Sequence, residues 1–245
     1  MTKTPNPNDQ TLIDHLIDLK KCIINTLIIV FLGFCAFIYF SEYIFDFIRS
    51  PILPYLGDSG GLVFTAPIDK FMAHIKVSVL AGAIITAPFW LHQLWIFVSP
   101  GLYNHEKKMG IYFIFFGTLL FLVGVLFVYQ IVYPMAFKYL LTFGGSTDKP
   151  MITISEYLGF FITTTLLFGL AFELPLVLVI LGMLGVVNAE MLRAKRKIAI
   201  MIIAVLSAVI TPPDAISMLA MLTPLILLYE VSILLVQYLG KKEVV

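Results

Sequence analysis

The stretch GLAFELPLVL, Gly169 to Leu178, places one carboxylate, Glu173, inside a run of residues that is otherwise apolar. The run extends from Tyr157 to Leu184, and a helix needs about 20 apolar residues to cross the hydrocarbon core of a membrane. An acid near the centre of such a span costs about 2.5 to 3.5 kcal/mol on insertion scales. We therefore expect Glu173 to face the inside of a helical bundle rather than lipid.

Composition indicates that this run is one span of an integral membrane protein. The chain has 245 residues, of which 60% are hydrophobic and 13% charged, whereas a soluble domain carries about 25% charged residues. The net charge of +1 argues against nucleic-acid binding. Neither the two cysteines nor the histidines have the spacing of a disulfide framework or a metal site, so we expect no metal and no cofactor. Met1 to Lys21 lacks the pattern of a cleaved signal peptide, and we expect it to be retained.

Six apolar runs predict an all-α integral membrane protein that forms a single domain over residues 1–245. The fifth run has 13 residues, which reach only about 20 Å as a helix. The sixth is interrupted by Pro224 and Glu230, so we expect short fifth and sixth helices that thin the bilayer beside them. The predicted spans are 22–40, 71–94, 109–133, 157–184, 198–210 and 218–236.

The distribution of lysine and arginine predicts that both termini face the cytoplasm. The tails and the even-numbered links hold 11 basic residues and the odd-numbered links hold 4. The 11 are Lys3, Lys20, Lys21, Lys107, Lys108, Arg193, Lys195, Arg196, Lys197, Lys241 and Lys242, and the 4 are Arg49, Lys70, Lys138 and Lys149. The long first outer link, Ser41 to Lys70, is rich in aromatic residues, and we expect it to cap the outer side of the bundle.

Two cytoplasmic segments combine charged and apolar side chains. Apolar residues recur at helical spacing from Leu12 onward, while Asp18 falls on the opposite face of that helix. The second segment, WIFVSPGLYNHEKK from Trp95 to Lys108, contains Phe97 and the acid Glu106. Taken singly, each segment is better explained as solvated surface charge at the entrance of a span.

The combination of motifs resembles the TatC family, the receptor subunit of the twin-arginine protein translocase. The motifs are HLIDLKK (15–21), APFWLHQLWIFVSPGLYNHEKK (87–108), FELPLVL (172–178) and VITPPD (209–214), in the family's order and with comparable separations. The resemblance implies a six-helix, glove-shaped bundle that binds the twin-arginine signal peptides of folded precursors on its cytoplasmic side. It also implies TatA-type and TatB-type single-span partners, self-association, a location in the bacterial cytoplasmic (inner) membrane, and transport driven by the proton motive force.

The resemblance also implies which residues bind the signal peptide. Glu106 matches the loop acid and Asp18 the N-terminal acid that help to hold the two signal arginines, and a carboxylate suits a guanidinium because the two can pair bidentately. The family has Glu, Leu and Arg where this chain has Asp18, Leu19 and Lys20, so Asp18 keeps the charge but loses one methylene of reach. Phe97 matches an aromatic residue near the same surface.

Three further residues match loops of the family. Pro51 lies in the capping loop, where it is expected to shape the backbone rather than touch cargo. Pro212 and Asp214 belong to the matching VITPPD turn before the last helix. All three are therefore interpreted as structural loop residues.

The role of Glu173 has alternatives at this stage. It could be a structural acid, hydrogen-bonded through Thr163 to Thr165 or paired with Lys76, although Lys76 could equally snorkel to the membrane surface. The family match favours a Glu173 that polarises the concave face or contacts a partner's helix. An ion-coupled secondary transporter with Glu173 as its midplane site is the competing class, but the chain has no repeated halves. The absence of a G-x-S-x-G elbow argues against an intramembrane hydrolase, and we expect no enzymatic activity.

Overall fold

The computed structural model describes residues 12–56, 61–101, 109–142, 151–210 and 215–239. Regular structure in these ranges is helical, apart from one isolated parallel bridge between Val63 and Thr153. The α-helices are α1 (Leu12–Phe37), α2 (Ser41–Arg49), α3 (Pro67–Ile85), α4 (Ala87–Val98), α5 (Gly110–Phe127), α6 (Tyr133–Thr142), α7 (Ile154–Phe172), α8 (Leu174–Met183), α9 (Ala189–Ala194), α10 (Arg196–Ile210) and α11 (Ala215–Leu239). The prediction of an all-α protein is confirmed.

Several of these helices join end to end into membrane-length spans. Four continuous stretches among the described residues are long and apolar enough to cross a membrane, and the bent pair α3–α4 makes a fifth. The four are Leu16–Arg49, Gly110–Leu141, Ile154–Met183 and Met218–Leu239. Helix α10 has 15 residues and is only about 22 Å long, which confirms the short fifth helix.

The last helix is longer than its apolar run predicted. Helix α11 has 25 residues and passes through Pro224 without ending. Proline removes one backbone donor from a helix, which here affects only the carbonyl of Ala220, one turn earlier. The helix continues to Leu239, and it is long enough to cross the membrane.

The second predicted span consists of two helices, α3 and α4, that meet at 60° around Thr86. Pro88 explains the bend, because it has no N–H to bond the carbonyl one turn earlier. Side chains donate hydrogen bonds to two carbonyls near the bend. Thr86 Oγ1 donates to the Gly82 carbonyl at 2.7 Å, and the Trp90 indole N–H donates to the Ala83 carbonyl at 3.0 Å. Such internal partners are what permits a bend inside hydrocarbon.

Helix α1 joins the bundle through a close backbone crossing with α3. A Cβ atom at Gly82 would lie 2.6 Å from the Phe34 nitrogen, and one at Gly33 would lie 2.9 Å from the Gly82 Cα. Small residues allow membrane helices to approach this closely. The crossing therefore anchors a helix whose other side chains are mostly exposed to the surroundings.

The main core extends from α3 and α7 to the last helix, α11. Ile48 near the end of α2, and Ile52 and Leu56 in the segment after it, are buried in this core. Half-buried Pro51 stands in the turn between them, where the Ile52 N–H donates to the Arg49 carbonyl at 3.2 Å. The first outer link therefore packs into the bundle, as expected for a cap.

Candidate functional site

An amide pair joins α1 to α4. Asn25 Nδ2 donates to Gln93 Oε1 at 3.2 Å. Asp18 lies two helical turns before Asn25, and Phe97 lies about one turn after Gln93. Helices α1 and α4 run in opposite directions, so Asp18 and Phe97 lie on the same side of the amide pair.

Asp18 has only weak intramolecular compensation for its charge. Lys21 Nζ lies 3.9 Å from Asp18 Oδ1, and 38% of the Asp18 side chain is exposed. Exposed ion pairs of this kind contribute about 0 to 1 kcal/mol. Lys20 is exposed beside Asp18, and Phe97 is half-buried. The Asp18 carboxylate is therefore accessible to an incoming cation.

Glu106, Pro212 and Asp214 lie outside the described residues. Their assignments rest on the motifs alone, and the roles given to them stay predictions.

Glu173 lies between α7 and α8 with 6% of its surface exposed. Neither carboxylate oxygen has a hydrogen-bond partner among the described residues. A Cβ atom at Gly117 of α5 would lie 3.3 Å from Glu173 Oε2 and 3.3 Å from Leu91 Cδ1 of α4. The carboxyl group thus faces the interior, in an apolar space between three spans, as the insertion cost requires.

The helix breaks at Glu173 because of Pro175. Glu173 N–H donates to the Leu170 carbonyl at 3.1 Å, which closes a tight final turn, and the Glu173 carbonyl accepts from Val177 N–H at 3.0 Å, which begins α8. Pro175 occupies the first turn of α8, where a missing N–H costs little. The two helices still form one span, Ile154–Met183.

The structural alternatives for Glu173 are not formed among the described residues. Lys76 is exposed on α3, beside the buried residues Ala73 and Val77, and makes no ion pair with Glu173. Thr165 instead contacts Tyr133, whose hydroxyl lies 2.7 Å from Thr165 Oγ1. A buried carboxyl group without a donor is unfavourable unless something compensates it. The geometry therefore leaves Glu173 able to interact with a group from outside this chain.

Two features of the site were not predicted from the sequence. The partnership of Asn25 with Gln93 could have been found, because both are polar residues at similar depth in neighbouring spans. The role of Gly117 could not, because one glycine in an apolar span carries no signal of what faces it.

Known proteins resemble the chain over most of its length. A family model described as Sec-independent protein translocase protein (TatC) matches residues 14–224. A Sec-independent protein translocase protein TatC from Desulforapulum autotrophicum is 38% identical over 230 residues, which cover 94% of this chain and 85% of the relative. One from Carboxydothermus hydrogenoformans is 37% identical over 234 residues, which cover 95% of each chain.

Two crystal structures of a twin arginine translocase receptor TatC share the fold. One has a TM-score of 0.78 and 37% identity, and the match covers 91% of this chain and 97% of that one. The other, described as being in DDM, has a TM-score of 0.79 and 36% identity, with 93% and 100% covered.

Proposed function

Because the chain belongs to the TatC family of Sec-independent protein translocase proteins, we propose that it is the receptor subunit of a twin-arginine translocase. It binds twin-arginine signal peptides at its cytoplasmic face and takes part in transporting folded proteins across the membrane. The observation that carries the proposal is the family match over residues 14–224. A subunit of this kind is a membrane receptor and not an enzyme, and the relatives give no support to the ion-coupled transporter.

We propose that Asp18 and Glu106 hold the two arginines of the signal peptide. The accessible Asp18 carboxylate supports this role, because its exposed contact with Lys21 at 3.9 Å is easily replaced by a bidentate guanidinium. Phe97 supplies an aromatic face at the same end of the bundle, and Lys20 flanks Asp18 at the surface. Lys20 is the least favourable neighbour for a cationic peptide, so it is expected to orient Asp18 or to contact the peptide backbone.

TatA-type and TatB-type single-span proteins are the proposed partners, and their helices pack on the outward faces of α10 and α11. Exposed apolar side chains on both helices support this location, among them Met201, Val205, Leu219 and Leu227. Helix α10 is too short for the hydrocarbon core, and a partner's helix would relieve that mismatch. Self-association and coupling to the proton motive force follow from the same family membership.

The proposed location is the bacterial cytoplasmic membrane, with both termini in the cytoplasm. Besides the basic residues, contacts between α11 and the start of α10 support this arrangement. Arg196 Nη2 donates to Glu230 Oε2 at 2.7 Å, and Arg193 donates to Gln237. These contacts join the basic link before α10 to the last turns of α11. Labelling of single cysteines at Ser59 from outside, and at Ala194 only after permeabilisation, is the expected pattern.

Peptide binding tests the proposal directly. Glu106→Ala should weaken binding of a twin-arginine peptide by about 1.5 to 3 kcal/mol, the value of a charge-assisted hydrogen bond. Asp18→Ala should act in the same direction with a smaller effect. Affinity for a labelled peptide is measured with the chain in lipid nanodiscs.

Glu190→Ala is the matched control, because Glu190 is an exposed acid on the same side of the membrane in α9. It should bind the peptide as the wild type does. Unchanged affinity in both single variants and in the double variant would remove the two acids from the site. A wild-type chain that does not distinguish the twin-arginine peptide from a twin-glutamine peptide would overturn the proposed function.

A further inference from the structure

The Asn25–Gln93 amide pair links α1 to α4 by a side-chain hydrogen bond of 3.2 Å. Gln93 is half-buried and Asn25 is exposed. Both residues lie in apolar runs that are predicted to span the membrane, Asn25 in 22–40 and Gln93 in 71–94. An amide group in hydrocarbon costs free energy unless it is hydrogen-bonded. Each of the two side chains therefore favours the arrangement of α1 and α4 in which it meets the other.

Helical geometry places the proposed recognition residues in line with this pair. Asp18 precedes Asn25 by two turns, so the two side chains lie within about 20° of each other around α1. Phe97 follows Gln93 by about one turn and lies within about 40° of it around α4. Because the two helices run in opposite directions, Asp18 lies about 10 Å and Phe97 about 6 Å beyond the pair, toward the same end.

The other contacts of this half of α1 fix its rotation only weakly. The crossing of Gly33 with Gly82 lies about 12 Å farther along α1 from Asn25. Cys22 is buried, but large side chains beside it, such as Ile23, are exposed. Lipid tails are as apolar as these side chains, so apolar packing distinguishes poorly between one helix register and the next. A directional hydrogen bond does distinguish them.

A change of register would move Asp18 out of line. A slip of α1 by one residue shifts the helix by about 1.5 Å and corresponds to a turn of about 100°. The Asp18 carboxylate would then point to another side of α1 and lose its alignment with the end of α4 that carries Phe97. A buried polar residue sets helix register in coiled coils in the same way.

We propose that Asn25 and Gln93 are positioning residues for twin-arginine recognition, an inference that rests on the proposed function. Their hydrogen bond holds α1 in the register that presents the Asp18 carboxylate on the α4 side, at the same end as Phe97. Neither amide needs to touch the peptide, because the pair lies one to two turns away from these residues. The pair adds to the affinity for the signal arginines through Asp18.

Removal of either amide tests the proposal. Gln93→Met and Asn25→Leu keep the approximate size of each side chain and remove the hydrogen bond. Each should lower the affinity for a twin-arginine peptide roughly two- to tenfold, which corresponds to one hydrogen bond. The exchange of Asn25→Gln with Gln93→Asn keeps the number of atoms between the helices, and it should restore the wild-type affinity. Affinity for a labelled peptide is measured in lipid nanodiscs.

A thermodynamic cycle with Asp18→Ala separates positioning from general stability. If the pair acts through Asp18, then Asp18→Ala should cause little further loss of affinity in the Gln93→Met chain. Residues that act independently give additive losses. A merely structural pair would change the unfolding midpoint and leave the effect of Asp18→Ala on peptide affinity as it is in the wild type. Additive losses in the cycle therefore overturn the proposal.

His92→Leu is the matched control. His92 is exposed on the same turn of α4, about 100° around the helix from Gln93, and its replacement also removes a polar side chain. The variant should bind the peptide as the wild type does. Unchanged affinity in Gln93→Met overturns the positioning role. A loss in Gln93→Met without a loss in Asn25→Leu also overturns it, because Gln93 would then contact the peptide directly.

The exchange variant decides the case in which a single variant does not fold. Wild-type affinity in the exchange variant supports the pair, whereas a loss of affinity at an unchanged unfolding midpoint overturns it. A comparison of twin-arginine and twin-glutamine peptides on the wild-type chain keeps the two proposals apart. If the chain does not distinguish these peptides, the proposed function fails. If it does, and Gln93→Met binds as the wild type does, only the positioning role is refuted.

Discussion

The ends of α3 and α7 on the predicted outer side are bound to each other by backbone hydrogen bonds, whereas the ends of α1 and α4 on the predicted cytoplasmic side meet through exposed side chains. At the outer end, Asp69 accepts hydrogen bonds from the N–H groups of Thr65 at 3.0 Å and Ala66 at 2.8 Å, and from the Ser155 hydroxyl at 3.2 Å. Beside it, Val63 exchanges backbone hydrogen bonds with the segment that begins α7, at 2.9 and 2.8 Å.

Two tyrosines extend the outer network to the segment after α1. The Tyr157 hydroxyl donates to the Ile48 carbonyl at 2.5 Å, and the Tyr129 hydroxyl donates to the Phe47 carbonyl at 2.9 Å. Both carbonyls belong to α2, whose last turn has carbonyl groups outside the regular helical pattern. The outer network therefore ties α2, the helical segment Val128–Val132 after α5, α7 and the entrance of α3 together.

At the other end, which contains the proposed recognition residues Asp18 and Phe97, the polar contacts described between residues of α1 and α4 are few and exposed. Asn25 and Gln93 form one amide pair, and Asp18 meets Lys21 of its own helix. Regions with few buried contacts open at low free-energy cost. The difference indicates that the bonded ends of α3 and α7 form a scaffold, and that the beginning of α1 opens more easily and would be able to adapt to the proposed peptide.

The largest effect is expected at the crossing that attaches α1 to the scaffold. Gly82→Ala should destabilise the chain by about 1 to 3 kcal/mol, at the upper end of that range because the new methyl group meets backbone and not a movable side chain. Thermal unfolding in detergent measures it. Gly159→Ala is the matched control, because a Cβ atom there meets nothing within 4 Å, and alanine is the better helix former. Equal unfolding midpoints for Gly82→Ala and Gly159→Ala would refute the close crossing of α1 and α3.

Glu173 tests whether the middle of the bundle behaves as scaffold or as part of the functional site. Glu173→Leu should stabilise the fold by on the order of 1 kcal/mol, since it removes two buried oxygens without partners. It should nevertheless impair export after the signal peptide has bound, whereas Glu173→Gln keeps hydrogen bonding and much of the activity. Export of a folded reporter and peptide crosslinking are measured on the same variants.

The outcomes for Glu173 separate the two roles. Export at the wild-type rate by Glu173→Leu would make the acid merely structural. Loss of peptide binding in Glu173→Leu would show that the variant fails at signal-peptide binding. The binding region would then include the middle of the bundle around Glu173.

Removing a residue of the outer network should destabilise the fold less than Gly82→Ala does, because water can replace part of the network's hydrogen bonds. Asp69→Ala removes the acceptor for Thr65, Ala66 and Ser155, and the unfolding midpoint should fall by less than in Gly82→Ala. Peptide affinity should not change. Asp46→Ala is the control, since it removes only an exposed ion pair with Arg49. If Asp69→Ala lowered peptide affinity without changing stability, the outer end would take part in peptide binding, and the proposed separation of scaffold and binding site would be wrong.

The apolar helices that form the spans could be predicted because the bilayer dictates their length, whereas the orientation of their links stays a prediction. Hydrocarbon requires apolar runs of helical length, and the charge distribution follows the membrane sides. Breaks inside spans were less predictable, because the same residue acts differently in different surroundings. Pro88 bends its span by 60°, Pro175 causes a slight break, and Pro224 lies within a continuous helix. The outcome depends on the packing around each proline, and this cannot be read from the proline alone.

The candidate site was predictable where it consists of motif residues and unpredictable where it depends on helix rotation. Asp18 and Phe97 were proposed from the sequence, because each lies in a distinctive segment, and their roles stay predictions. The crossing of Gly33 with Gly82 and the approach of Gly117 to Glu173 both join residues that are distant in sequence. Which faces of two helices meet is set by packing over their whole length, so these pairs required the structure.

The smallest effect is expected from Lys21→Gln, which removes the described ion-pair partner of Asp18. A pair at 3.9 Å with 70% of the lysine exposed contributes about 0 to 1 kcal/mol, so the unfolding midpoint should not change measurably. Peptide affinity should stay the same or rise slightly, because Asp18 loses a competitor for the incoming guanidinium. An unchanged unfolding midpoint with unchanged or higher peptide affinity would indicate that Asp18 acts in binding and not in stabilising the fold. A clear fall in stability would instead show that the Asp18–Lys21 pair holds the cytoplasmic end together, and the recognition end would then be a second scaffold.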